Sequence, residues 1–215
     1  MSKEYKYKDI QMKSDIEVYF AMYLQELKDH GFIKEWYYEK DTFELFKGYS
    51  RNFTIQLKTK TKESSEVLLE KASLTADFTV EWDERSRNIF FLDTSVPIKI
   101  PVSNIPFRLC SEDNNLLISY IETKGFNNSV TTSSNHSFPY KQKWVKQLHG
   151  VLVQKIQPFT YKKNGNALFQ STFYPEEVLK SEIYLTNTKW GKKGTSKIKH
   201  RVVKIKEFIN DRSRD

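Results

Sequence analysis

The chain has one cysteine, Cys110, in 215 residues. This excludes an intramolecular disulfide and any zinc centre built from several thiolates. Glycine is scarce, at seven residues, and neither Gly-x-x-x-x-Gly-Lys nor Gly-x-Gly-x-x-Gly occurs, so a nucleotide-binding fold has no support. The four histidines, His30, His136, His149 and His200, are dispersed without metal-ligand spacing. Cys110 paired with His136 or His149 as nucleophile and base has no local signature behind it. No apolar run approaches the roughly 18 residues that a membrane span needs. The start, Met-Ser-Lys-Glu-Tyr-Lys-Tyr-Lys, lacks the apolar core of a signal peptide. The expectation is a soluble, cytoplasmic protein (host cytoplasm if viral) with no membrane partner.

The chain is rich in aromatic rings and positive charge. An aromatic share of 14% argues against disorder, because an extended chain cannot hide that much ring surface. The length suits one large domain or one domain with an elaborated tail. The formal charge is +8, and eight positive residues with no acid fall between Lys189 and Lys206. Lys192, Lys193, Lys197, Lys199 and Arg201 lie in that stripe, which suits a polyphosphate such as DNA through counterion release. A solvated lysine-rich face is the alternative.

Hydrophobic spacing organises the rest. Ile16, Phe20, Tyr23, Leu24 and Leu27 predict a helix over about 14–30, stopped by Gly31. Residues 32–39 alternate as a strand. A hairpin is predicted from 52–60 and 66–82 around a polar turn at 61–65, its second arm delivering Asp77. On that arm Phe78, Val80 and Trp82 share one face, with Thr79 and Glu81 on the other. A helix over about 140–149 follows, with Tyr140, Trp144, Val145 and Leu148 as its inner stripe and Lys141, Lys143 and Lys146 on other faces. Residues 151–156 form a short strand.

Leu116 to Gly125 reads Leu-Leu-Ile-Ser-Tyr-Ile-Glu-Thr-Lys-Gly, an apolar strand ending in an acid and a lysine two apart. Glu122 and Lys124 therefore project from the same side. Unpaired charge at the end of a buried strand is costly, and Asp77, in a similar setting, supplies a partner. Two carboxylates and a lysine could hold a divalent cation and an activated water. Each residue also has a plainer reading. Ser14-Asp15-Ile16-Glu17 fits a capping box, Asp77 could be an exposed acid on a hairpin arm, and Glu122 with Lys124 could be a surface ion pair.

The order of helix with an acid, strands with Asp77, Glu122-Thr123-Lys124 strand, basic helix and strand resembles the PD-(D/E)xK nuclease superfamily. Within it, phage-type endonuclease I, a Holliday-junction resolvase, is the more specific likeness. The likeness rests on Ser14-Asp15-Ile16-Glu17, Leu74-Thr75-Ala76-Asp77-Phe78 and Ile121-Glu122-Thr123-Lys124-Gly125, within residues 14–157. Ala76 stands where the family's proline precedes the first acid. The 44 residues between Asp77 and Glu122 require an insertion at about 84–114.

This resemblance implies an α/β fold with a mixed central β-sheet flanked by helices, a restriction-endonuclease-like core, and here a basic C-terminal extension. The implied organisation is a nuclease core over 1–160 with 161–215 packed on it. It further implies a Mg2+-dependent endodeoxyribonuclease, with Mn2+ as substitute. Asp77 and Glu122 would be metal ligands, joined by the Thr123 carbonyl and by Glu17. Lys124 would orient or deprotonate the attacking water. Lys141, Lys143 and Lys146 would contact phosphates beside the scissile bond. The implied partner is DNA, including branched DNA, met by a homodimer if the junction is symmetric. The rivals are a non-catalytic DNA-binding or structural phage protein, and a transposon-end or restriction-like nuclease.

Overall fold

The computed structural model describes residues 5–92, 105–110, 117–124, 133–158, 167–180 and 202–212, with only the backbone over 133–136. Lys192, Lys193, Lys197, Lys199 and Arg201 lie outside the described residues. The fold is mixed α/β. Its centre is a four-stranded sheet ordered β12-β11-β8-β3, comprising β3 (Ile33–Tyr38), β8 (Phe78–Trp82), β11 (Ile118–Thr123) and β12 (Val153–Ile156). The β3, β8 and β11 strands run antiparallel in turn, and β12 is parallel to β11. Joining two parallel neighbours needs a crossover, and helix α2 (Ser133–His149) lies within it.

The two sheet faces are buried by different elements. Helix α1 (Asp15–Asp29) covers one face, where Phe20, Tyr23, Leu24 and Leu27 meet Phe78, Val80, Trp82 and Ile121. On the other side helix α2 packs on the edge strand β12 and on the chain around Leu45 and Leu74, placing Phe138 and Val145 against Val153, Leu74 and Ala76. The alternation anticipated for β8 is therefore present, with Phe78, Val80 and Trp82 toward α1. Two shorter helices, α3 (Leu168–Ser171) and α4 (Glu176–Lys180), and a last helix, α5 (Ile205–Arg212), complete the α1 side. Phe173 stacks on Tyr23 with centroids 4.5 Å apart, and Phe208 reaches Phe90 at 5.5 Å.

Three expectations need correction. The hairpin does form, as β5 (Tyr49–Gln56) and β6 (Thr61–Leu69), but it turns at residues 57–60, where the Leu57 amide bonds the Lys60 carbonyl at 2.9 Å. The polar run 61–65 is strand. Both ribbon faces are largely exposed, so no buried side fixed the register from the pattern. Asp77 is therefore delivered by a separate step, from β7 (Ala72–Thr75) into β8, with β7 paired to the unanticipated strand β4 (Thr42–Phe46).

The third correction concerns α2, which begins earlier than expected and turns differently. Tyr140, Trp144 and Leu148 are exposed, whereas Phe138 and Val145 are buried. Gln142 accompanies them inward and donates to the Val153 carbonyl at 2.5 Å. A polar residue on the inner face, and aromatics on the outer one, defeat a stripe chosen by ring size. A further unanticipated hairpin pairs β1 (Tyr5–Tyr7) with β2 (Ile10–Met12) at the start of the chain.

Described parts of 84–114 serve the core away from the acids. Phe90, Phe91 and Phe107 are fully buried, and the short strands β9 (Phe91–Leu92) and β10 (Phe107–Arg108) pair in parallel. Arg85 bonds the Gly31 carbonyl, and Cys110 takes the Ile118 carbonyl through its amide. Gly31 and Ile118 mark the sheet end opposite Glu122. Residues 93–104 and 111–116 lie outside the described residues.

Candidate active site

The antiparallel register brings the start of β8 beside the end of β11, with Phe78 opposite Ile121 and Tyr38 opposite Phe78. Asp77, Glu122, Lys124 and the end of β3 therefore share one end of the sheet. Asp77 Oδ2 accepts from the Thr123 amide at 2.7 Å and from its hydroxyl at 2.9 Å. Glu122 is buried, and its Oε1 lies 2.5 Å from Lys124 Nζ. The Lys124 ammonium also sits 6.0 Å from the Phe138 ring centroid. Among the described residues, no donor bonds Asp77 Oδ1 or Glu122 Oε2.

The charge balance here is unusual. Burial pushes the Asp77 carboxyl up to about 7, and the neighbouring Glu122 and Glu17 raise it too, against the lowering effect of the two Thr123 hydrogen bonds. An acid half-protonated near neutrality beside a second buried acid marks negative charge that Lys124 alone does not neutralise. Carboxyls perturbed in this way cluster at functional sites, and structural ion-pair networks produce them too.

Glu17 has a structural occupation. It stands at the third helical position of α1, with Ser14 as N-cap in extended conformation. Its amide donates to Ser14 Oγ at 3.3 Å, and Ser14 Oγ donates to Glu17 Oε1 at 2.9 Å. Its Oε2 accepts from the Lys13 amide at 2.8 Å and from Tyr38 OH at 2.7 Å. The capping reading is thus realised, with the Lys13 amide in place of the Ser14 amide. Glu17 still acts on Asp77 through its charge. A Glu17→Gln variant can accept from Lys13 and Tyr38 while its amide faces Ser14 Oγ, so unfolding free energy should change by less than about 1 kcal/mol. Thermal melts compared with Glu17→Ala check this, since Ala empties the whole network.

Sequence reasoning missed two residues around this end. Tyr38 holds Glu17, and burial followed by that carboxylate raises its phenol well above the usual range. Lys13 pairs with Glu39, which holds its ammonium above the usual range, and it lies within the fields of Asp77 and Glu17. Alternation along β3 could have placed Tyr38 here, whereas Lys13 precedes the helix with no periodic signal.

The basic residues proposed for α2 divide. Lys141 Nζ bonds the Ser73 carbonyl at 3.0 Å, and Lys146 Nζ bonds the Gly150 carbonyl at 3.1 Å, while Lys143 is exposed. Cys110 is buried and its thiol is pushed up to about 11, mainly by burial, so it is not a thiolate at neutral pH.

The donor set suits a hard cation. Asp77 and Glu122 offer carboxylate oxygens, the chemistry that magnesium takes with water and substrate phosphate filling its remaining positions. Among the described residues, no group of three or more His, Cys, Asp or Glu is arranged to hold a metal ion. A cation here would rest on two carboxylates, and the described site contacts of Thr123 run through its amide and hydroxyl. No described helix is long and apolar enough to cross a membrane. Comparison with protein-family models, curated proteins and solved structures found no match.

Proposed function

We propose that the chain is a divalent-metal-dependent endodeoxyribonuclease of the PD-(D/E)xK type, acting on branched or recombining DNA in the manner of phage-type endonuclease I. The observation that carries this reading is the meeting of Asp77, Glu122 and Lys124 at one sheet end, with excess negative charge between the acids. The order acid-bearing helix, strand, Asp77-led strand, Glu122-Lys124 strand, helix and strand supports it as well. A restriction-endonuclease-like core and a basic extension belong to the same proposal.

Asp77 and Glu122 would hold the cation through their remaining oxygens. When bound, it supplies charge neutralisation at the phosphate and a more acidic water. Lys124, its ammonium held by Glu122, would orient that water and take up charge developing on the phosphate. Thr123 aims the Asp77 carboxylate. Glu17 braces α1 against β3 and adds negative field beside Asp77.

Cleavage of a four-way junction and a matched linear duplex, each with and without Mg2+, tests the reading. Junction cutting that requires Mg2+ is the expected result. Cutting of linear duplex alone would move the assignment to a restriction-like or transposon-end nuclease. Binding without cutting under every condition would leave a non-catalytic DNA-binding protein.

A further inference from the structure

The β5–β6 ribbon has no place in the chemistry above, yet it is exposed along nearly its whole length. It forms a two-stranded sheet of its own, paired with neither the central sheet nor β4 and β7. Eight cross-strand pairs run from Tyr49–Leu69 to Gln56–Thr61, a reach of about 24 Å at roughly 3.4 Å per residue. Nearly every side chain along it is exposed. A lone hairpin of this kind is marginal in water, so its retention points outward.

Its charge and chemistry indicate the partner. From Leu45 to Lys62 the chain carries five positive residues and no acid. Three of them, Lys58, Lys60 and Lys62, stand at the tip, exposed, and their ammonium groups make no ion pair or hydrogen bond among the described residues. Cross-strand partners share a face, which places Asn52, Thr54, Gln56, Thr61 and Ser65 together on one side with a single acid, Glu63. Amides and hydroxyls of this kind meet base edges and sugars, and a two-stranded β-ribbon fits the major groove of duplex DNA.

We propose that the β5–β6 ribbon is an arm that docks in a groove of duplex DNA, its tip lysines on phosphates and its amide–hydroxyl face toward the groove. The inference rests on the nuclease reading for its substrate, and it adds how that substrate is gripped away from the cut. Exposed Tyr49, Val67 and Leu69 at the ribbon's root offer a second copy of the chain as the competing occupant.

Fluorescence anisotropy of a labelled duplex, measured on the full chain in EDTA over a salt series, tests the arm. The triple variant Lys58→Gln, Lys60→Gln, Lys62→Gln should bind at least about tenfold more weakly. Its log-affinity against log-salt slope should be shallower by about 2.7, three contacts at about 0.9 each. Asn52→Ala with Gln56→Ala should lose affinity at unchanged slope. Unchanged affinity and slope in the triple variant, with wild type binding and cleaving normally, would overturn the arm and leave the nuclease reading intact. Wild type that neither binds nor cleaves DNA would instead overturn that reading. Light scattering on the same samples separates the occupants. A triple variant that changes from dimer to monomer while keeping its DNA affinity would assign the ribbon to a second copy and overturn the proposal.

Discussion

Asp77→Asn should melt above the wild type at pH 8 and level with it at pH 4. The carboxyl titrates at about 7 in the folded chain, against 3.8 for an unperturbed aspartate. The folded state therefore holds its proton where the unfolded state has released it, and wild-type stability falls as pH rises from about 4 to about 7. Below that window the two carboxyl states match and Asn gains nothing. Above it the neutral amide avoids burial of an anion beside Glu122, a difference on the order of 1–3 kcal/mol. The Asn oxygen can still accept from the Thr123 amide and hydroxyl, so the tie between the β8 start and the β11 end survives. Mg2+ at pH 8 should raise the wild-type melting temperature and leave that of Asp77→Asn unmoved. Parallel melts across pH, with and without the ion, read both effects.

Lys124→Ala should be the most damaging single change at this end of the sheet. It removes the cation 2.5 Å from a buried Glu122 and leaves that carboxylate unpaired within the field of Asp77. Breaking a buried pair from one side costs about 3–5 kcal/mol when both groups are fully enclosed, and the partial exposure here lowers the expectation to about 2–4 kcal/mol. The loss should be larger at pH 8 than at pH 5, where Asp77 is protonated and the repulsion is relieved. Combined with Asp77→Asn, the same substitution should cost less than the sum of the two single effects, because one carboxylate has gone. Cleavage should fall by at least about 100-fold even in molecules that remain folded. Denaturant unfolding of the two single variants and the double variant measures the coupling.

Much of this site could be read from the chain because strand alternation is rigid. Glu122 and Lys124 had to share a side, and the apolar run before them had to be buried. Helix α1 was equally plain, since Phe20, Tyr23, Leu24 and Leu27 repeat at helical spacing and Gly31 adopts a positive φ of 72° just beyond its end. The β5–β6 turn was misplaced because an exposed ribbon has no buried face to impose a register. The α2 stripe was misread because its inner side holds Gln142 while Tyr140 and Trp144 point to solvent, a choice fixed by tertiary packing. Glu17 shows a different limit. Capping and charge can be carried by one carboxylate, and only the distances to Ser14, Lys13 and Tyr38 reveal how fully it is engaged.

Single-turnover cleavage of a four-way junction, with wild type and Asp77→Asn compared at saturating protein in Mg2+, tests the central claim most directly. The predicted result is cutting by the wild type and none by the variant, with the variant binding the junction at least as tightly because a negative charge has been removed. Cutting at the wild-type rate by Asp77→Asn would contradict the account.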